Sequence, residues 1–174
     1  MTLLSRSLRT RWYWIALAAA GFALLVVALY YQYVLGDEPC QVCIHARLWV
    51  VAFTVIALFM AIPHQHRLMR LTANLGVFIA CAGLTERATY LYQLENGIGD
   101  GSCEFELGMP SWFAVDQWMP LLFEVRNLCS FTPKMLFGFS MAESLMGIGA
   151  VLCLVAATAI AVSYTHLRAH ETDR

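Results

Sequence analysis

The chain has 174 residues, of which 60% are hydrophobic and 13% are charged, and its formal net charge is −1. A soluble domain usually has about 25% charged and about 45–50% apolar residues, so this composition excludes an ordinary soluble domain and indicates a single domain that crosses a membrane several times. The near-neutral charge, with no basic stripe, excludes nucleic acid as a partner.

Four apolar segments are predicted to be transmembrane helices, since each has close to or more than the roughly 20 helical residues needed to cross a ~30 Å hydrocarbon core. They cover residues 12–34, 44–62, 71–91 and 141–162. The first is longer than the apolar part of a signal peptide, about 7–15 residues, so we expect it to be retained. The prediction is one all-α domain over residues 1–163, with loops at 35–43 and 92–140 and a polar tail at 164–174 that is either disordered or foreign to the natural protein.

Basic residues orient the four spans, because cytoplasmic loops of membrane proteins are enriched in lysine and arginine. One side of the predicted bundle has many and the other has few: Arg6, Arg9, Arg11, Arg67, Arg70, Arg168 and Arg174, against Arg126 and Lys134. Both termini are therefore predicted to be cytoplasmic. In a bacterium this orientation means an inner-membrane protein whose two cysteine-bearing loops lie in the oxidising periplasm.

The segment 110–123 of the second outer loop is short and rich in aromatic residues, and Pro110 and Pro120 exclude one long helix. Its tryptophans and phenylalanines favour a short interfacial helix in the headgroup layer. The alternative is a hydrophobic loop packed on the ends of the spans, and the two descriptions are compatible.

Four of the six cysteines fall in the outer loops: Cys40, Cys43, Cys103 and Cys129. They allow three disulfide pairings, or a zinc site that is disfavoured because the second pair is widely spaced and the compartment is oxidising. A Cys-x-x-Cys bridge closes a very small loop and gains little chain entropy, so this spacing suits a bond that opens and closes. Cys81 and Cys153 lie inside spans and are predicted to be small buried apolar residues.

Cys40 and Cys43 stand at the predicted start of the second span, directly after Pro39, a residue that suits the first turn of a helix. Free backbone N–H groups at a helix N-terminus favour a thiolate. Arg47 lies four residues after Cys43, on the same helix face. We expect it to stabilise an anion there, either a thiolate or a reduced organic acceptor; the alternative is that its side chain reaches the lipid headgroups.

The whole pattern resembles the DsbB family of membrane thiol oxidases: four spans, Pro-Cys-x-x-Cys-Ile-x-x-Arg at positions 39–47, and the Cys103 and Cys129 pair in the second outer loop. Segments 110–120 and 137–141 are similar to that family's interfacial helix and to the start of its last span. The resemblance covers residues 12–162. Lys134 and Ala142 depart from it, because the family often has an aromatic residue and a proline there, and they bear on loop docking more than on the chemistry.

The resemblance implies a four-helix bundle that generates disulfides, with a disulfide between Cys40 and Cys43 and another between Cys103 and Cys129. A periplasmic, thioredoxin-like dithiol oxidase (DsbA-like) would form a mixed disulfide with Cys103. Cys129 would then attack Cys40, leaving Cys43 to face a membrane quinone, either ubiquinone or menaquinone. Arg47 would bind the quinone and favour the anions formed, and no metal is implied.

Two other functions are compatible with cysteine pairs in a four-helix membrane protein. A reductase of the vitamin K epoxide reductase type has its close cysteine pair late in the bundle, so a Cys-x-x-Cys before the second span disfavours that assignment. A structural membrane protein with inert disulfides is the alternative from a different class.

Overall fold

The computed structural model describes residues 11–62, 67–98, 103–104, 106–129, 134–135 and 138–172, with the backbone alone described at 67 and 165–172. Its helices in chain order are α1 (Arg11–Tyr33), α2 (Gln41–Met60), α3 (Arg67–Glu95), the short α4 (Val115–Trp118) and α5 (Pro120–Phe123), and α6 (Met141–Thr172). The four long helices are each apolar and long enough to cross a membrane. The predicted all-α bundle of four membrane-spanning helices is therefore confirmed, and the described residues form no β-sheet.

Two helices extend by four residues or more beyond their predicted spans. Helix α3 begins at Arg67 and ends at Glu95, whereas the apolar pattern predicted residues 71–91. Helix α6 continues to Thr172, through most of the polar tail that was expected to be either disordered or foreign to the natural protein. Residues 164–172 contain neither glycine nor proline, so nothing in the local sequence ends the helix at the point where the apolar residues end.

The long helices pack in the order α1, α2, α3, α6, each on the next, around a core that includes Trp14, Phe53 and Leu84. In the described part of the chain, α1 and α6 make few direct contacts with each other. Asn74 of α3 connects them at one end of the bundle, accepting a hydrogen bond from the Tyr13 hydroxyl (3.2 Å) and donating one to Ser163 Oγ (3.4 Å). At the other end, which carries the Cys-x-x-Cys and which we call the cysteine end, α1 and α6 leave a cleft.

Helices α1 and α2 approach each other closely at Gly21. A Cβ atom at this position would overlap the Thr54 hydroxyl and lie 2.8 Å from the Phe53 ring. We expect Gly21→Ala to lower the free energy of unfolding by about 1–3 kcal/mol, because a packed core resists added volume. The matched control is Gly147→Ala in α6, where the new Cβ meets nothing within 4 Å. Thermal unfolding in detergent checks this, and equal stabilities of the two variants would contradict it.

The predicted short helix in the second outer loop is present but broken into a 3-10 turn (Ser111–Phe113), α4 and α5. Pro120 stands at the start of α5, where a proline is tolerated and where it separates the two short helices. On one side of the segment, Val115 and Phe123 pack with Ile44 of α2. On the other side, Trp112, Trp118 and Leu121 are 60–76% exposed. The segment is thus both packed on the bundle and outwardly apolar.

Candidate redox site

All four cysteines predicted to react lie together at the cysteine end. A disulfide joins Cys103 to Cys129, with their Cα atoms 5.7 Å apart, which selects one of the three pairings that the sequence left open. Cys40 and Cys43 pack in the same cluster as this disulfide, but both are free thiols. The Cys40–Cys43 bridge that the family resemblance implies is therefore not formed here, and it stays a prediction about the oxidised state of the pair.

Cys40 caps helix α2. Its backbone is extended, and its sulfur accepts a hydrogen bond from the Cys43 N–H at 3.3 Å, the position that a serine or threonine oxygen usually takes. The predicted helix start at the Cys-x-x-Cys is thus found, although Pro39 precedes the cap instead of opening the helix. The hydrogen bond between the two thiols, together with burial, raises the pKa of the Cys40 thiol above its ordinary value, so Cys40 keeps its proton.

The chain that leads to Cys129 is attached to the same helix start. The carbonyl oxygen of Pro39 accepts hydrogen bonds from the backbone N–H groups of Arg126 (3.0 Å) and Asn127 (3.2 Å). Cys40 and Asn127 pair as an isolated parallel bridge. These bonds leave Cys129 1% exposed, inside the cysteine cluster.

The chain that follows Cys103 is attached through two side chains of α2 that the sequence reasoning missed. Gln41 donates to the carbonyl oxygen of Glu106 (2.7 Å) and accepts from the backbone N–H of Glu104 (3.2 Å). His45 Nε2 makes a hydrogen bond of 2.9 Å with the carbonyl oxygen of Leu107. Nothing in the sequence identifies these contacts, because they depend on how a long loop folds back onto α2.

Arg47 is 8% exposed, so the alternative in which its side chain reaches the lipid headgroups is not what the structure shows. Its NH1 atom donates to Gln32 Oε1 (2.6 Å) and to the carbonyl oxygen of Leu122 (3.0 Å), and its NH2 atom donates to the carbonyl oxygen of Ala28 (3.4 Å). Arginine is only a donor, so Gln32 must turn its oxygen toward it. The Nε2 atom of Gln32 is then left buried without a hydrogen-bond partner among the described residues.

Cys43 and Arg47 line one side of a narrow cavity of about 40 Å³ in the cleft between α1 and α6. The remaining walls are apolar: Leu24, Leu25, Ala28, Ala46, Val50, Met141 and Leu145. A larger groove of about 680 Å³ lies along another face of α2, beside His45, Trp49 and Phe113, but Cys43 does not line it. Chemistry at the Cys43 sulfur therefore belongs to the narrow cleft, despite its smaller volume.

The other two cysteines lie apart from this site. Cys81 is fully buried in the apolar core, as the sequence predicted, whereas Cys153, which was also predicted to be buried, is half-buried against it. The intramembrane Arg87 on α3 forms an ion pair with the adjacent Glu86. The cysteines predicted to react thus come from the N-cap and first turn of α2 and from the second outer loop.

Comparison with known proteins adds independent evidence. The sequence model of the family described as "Disulfide bond formation protein DsbB" matches residues 10–160. Disulfide bond formation protein B 2 of Pseudomonas aeruginosa is 32% identical over 163 residues, which are 92% of this chain and 96% of that protein. Disulfide bond formation proteins B of a Shewanella species and of Yersinia pestis are 29% and 28% identical, over 82% and 88% of this chain and 82% and 87% of their own lengths.

Proposed function

Because this chain belongs to the DsbB family, and is thus a multi-pass, disulfide-forming membrane oxidoreductase, we propose that it reoxidises a periplasmic, thioredoxin-like dithiol oxidase and passes the electrons to a membrane quinone. The single observation that carries the proposal is the packing of a closed disulfide, Cys103–Cys129, against an open dithiol, Cys40 and Cys43. Two cysteine pairs in one cluster can exchange electrons, whereas an inert structural disulfide needs no dithiol beside it.

The exchange begins with both pairs oxidised. The partner's thiolate attacks Cys103, forming a mixed disulfide and releasing Cys129 as a thiolate. Cys129 attacks Cys40, which forms the Cys40–Cys129 bond, breaks the Cys40–Cys43 bond and releases Cys43 as a thiolate.

The second half of the exchange restores the first disulfide. The partner's second thiolate resolves the mixed disulfide and releases Cys103, which attacks Cys129 and frees Cys40. The result is an oxidised partner, a closed Cys103–Cys129 disulfide and a reduced Cys40/Cys43 pair, the same pairing that this structure shows.

The residues around Cys43 fit a quinone ring. Gln32, which accepts from Arg47, supports this, since its buried Nε2 has no hydrogen-bond partner among the described residues and a ring carbonyl that reached it would accept from it. Arg47 adds a second donor and a positive charge one helix turn from Cys43. A cavity of about 40 Å³ admits only a water-sized group, so binding requires α1 and α6 to separate, and their few contacts allow this.

A bound quinone would supply an acceptor for two electrons and two protons. The chain's own contribution is to present the Cys43 sulfur to the cleft, to keep the proton of Cys40 on its sulfur, and to stabilise negative charge with Arg47. The apolar walls from α1 and α6 leave little room for water beside the sulfur. Oxidation of the dithiol restores the Cys40–Cys43 disulfide for the next cycle.

The proposed orientation puts the cysteine end in the periplasm and both termini in the cytoplasm of a bacterium, in its inner membrane. It rests on the excess of lysine and arginine at the opposite end. Periplasmic exposure also matches the need of Cys103 to meet a soluble partner in an oxidising compartment.

Trapping of the first intermediate tests the proposal. A reduced thioredoxin-like oxidase whose second cysteine is replaced by serine can attack the closed Cys103–Cys129 disulfide but lacks the thiolate that resolves the adduct. We therefore expect a mixed disulfide between Cys103 and the partner's remaining cysteine to accumulate. Mass spectrometry of the non-reduced adduct identifies the two cysteines. Cys153→Ser, which leaves the relay intact, should accumulate the same adduct, whereas the partner with both of its cysteines should not. An adduct at another cysteine, or none, would contradict the proposal.

A further inference from the structure

Gln41 lies between the two cysteines of the Cys-x-x-Cys, and we infer that it is a positioning residue for electron exchange between the two cysteine pairs. Its carboxamide holds the chain that carries Cys103 against the start of α2. The inference rests on the proposed relay and deepens it, because it assigns a role in the internal exchange to a residue that is not itself redox-active.

The Gln41 side chain uses both of its polar atoms in this contact. Oε1 accepts from the N–H of Glu104, the residue directly after Cys103, and Nε2 donates to the carbonyl oxygen of Glu106. A carboxamide thereby pairs with the loop backbone as a neighbouring strand would. Gly108, at a φ of +70°, lies next to Nε2, and its conformation favours glycine over a residue with a side chain.

The two ends of the Cys103–Cys129 disulfide are therefore attached to Pro39 and Gln41, on either side of Cys40 at the helix start. Backbone bonds to Pro39 hold the Cys129 end, and the Gln41 side chain holds the Cys103 end. Backbone bonds remain after a side-chain substitution, whereas the Gln41 contact does not. Loss of the carboxamide should thus free the Cys103 end selectively, since the remaining side-chain contact, from His45, is to Leu107, four residues beyond Cys103.

This selectivity bears on the last internal step. After Cys129 has bonded to Cys40 and the partner has left, the Cys103 thiolate must attack Cys129, forming the Cys103–Cys129 bond and releasing Cys40. Because Gln41 holds Cys103 close to Cys129, the Cys103 thiolate has a high effective concentration for this attack. Without the contact, molecules with a Cys40–Cys129 bond and free Cys103 and Cys43 should persist.

The experiment is a single turnover without quinone. Protein with both disulfides closed is mixed with reduced partner, quenched with acid, alkylated and analysed by mass spectrometry for its disulfide pairing. We expect Gln41→Met to slow conversion of the Cys40–Cys129 species to the Cys103–Cys129 species by about tenfold, because the variant loses one to two hydrogen bonds that hold Cys103 in place. The rate at which the partner first bonds to Cys103 should stay within about twofold of the wild-type rate.

Gln93→Met is the matched control, because Gln93 is an exposed glutamine of α3, and it should convert at the wild-type rate. Hydrogen exchange checks the contact itself: the Glu104 amide should be protected in the wild type and in Gln93→Met, and lose protection in Gln41→Met.

Equal conversion rates in wild type and Gln41→Met, or an unprotected Glu104 amide in the wild type, would overturn the role given to Gln41. A wild-type protein that fails to oxidise the partner at all would instead overturn the proposed function. If Gln41→Met does not fold, Gln41→Ala and the hydrogen exchange of the wild type provide the same test.

Discussion

Replacement of Cys43 by serine should abolish quinone reduction while leaving one round of partner oxidation intact. Cys43 is the only one of the four site cysteines that lines the cleft between α1 and α6. Without it, the Cys40–Cys43 disulfide cannot form, and none of the remaining site cysteines lines the cleft, so electrons that reach Cys40 have no exit to the quinone. We expect steady-state turnover to fall at least about 1,000-fold, as when a residue that acts as part of a catalytic unit is removed.

Two measurements check this result. Quinone absorbance reports the loss of turnover, and thiol counting on the partner should still show about one disulfide formed per molecule of variant. Cys153→Ser, a cysteine of α6 that is half-buried in the core, should retain turnover. Retained turnover in Cys43→Ser would show that electrons leave through another residue.

Arg47→His should raise the quinone KM by about 10- to 100-fold and leave exchange between the partner and Cys103 unchanged. The substitution removes a buried cation that has hydrogen bonds to Gln32 and Leu122, and bonds of charged groups contribute about 1.5–3 kcal/mol each. The effect should be in KM more than in kcat if the guanidinium binds the ring in the ground state as well as in the transition state.

The control is Arg126→His in the second outer loop, where the arginine is exposed and forms an ion pair with Glu124. It should keep the wild-type KM. Arg47 also joins α1 to the loop, so a purely structural role would lower thermal stability and slow partner exchange without a specific change in KM. An unchanged quinone KM in Arg47→His would remove Arg47 from the quinone site.

The spans and the start of α2 could be predicted because they depend on local properties. Runs of apolar residues mark what can cross a bilayer, and Cys40 stands where a helix cap is expected. The ends of α3 and α6 were harder, since hydropathy reports where a helix leaves the apolar region and not where its backbone stops being helical.

The candidate site could be predicted only in part. The four cysteines and Arg47 stand out because of their chemistry, and the structure brings them to one end of the bundle. Gln32 and Gln41 do not stand out, because a glutamine in a helix is ordinary until its partners are known. Their partners, Arg47 and the backbone after Cys103, are reached only when α1 and the second outer loop fold against α2.

The most direct test of the proposed relay is the stoichiometry of quinone consumption. Purified protein in lipid is mixed with a reduced thioredoxin-like oxidase and ubiquinone or menaquinone, and quinone absorbance and remaining thiols are followed together. The relay predicts that one quinone is reduced for every two partner thiols lost, over many turnovers per molecule of protein. Loss of partner thiols that stops after about one or two disulfides per molecule, with no quinone reduced, would contradict it.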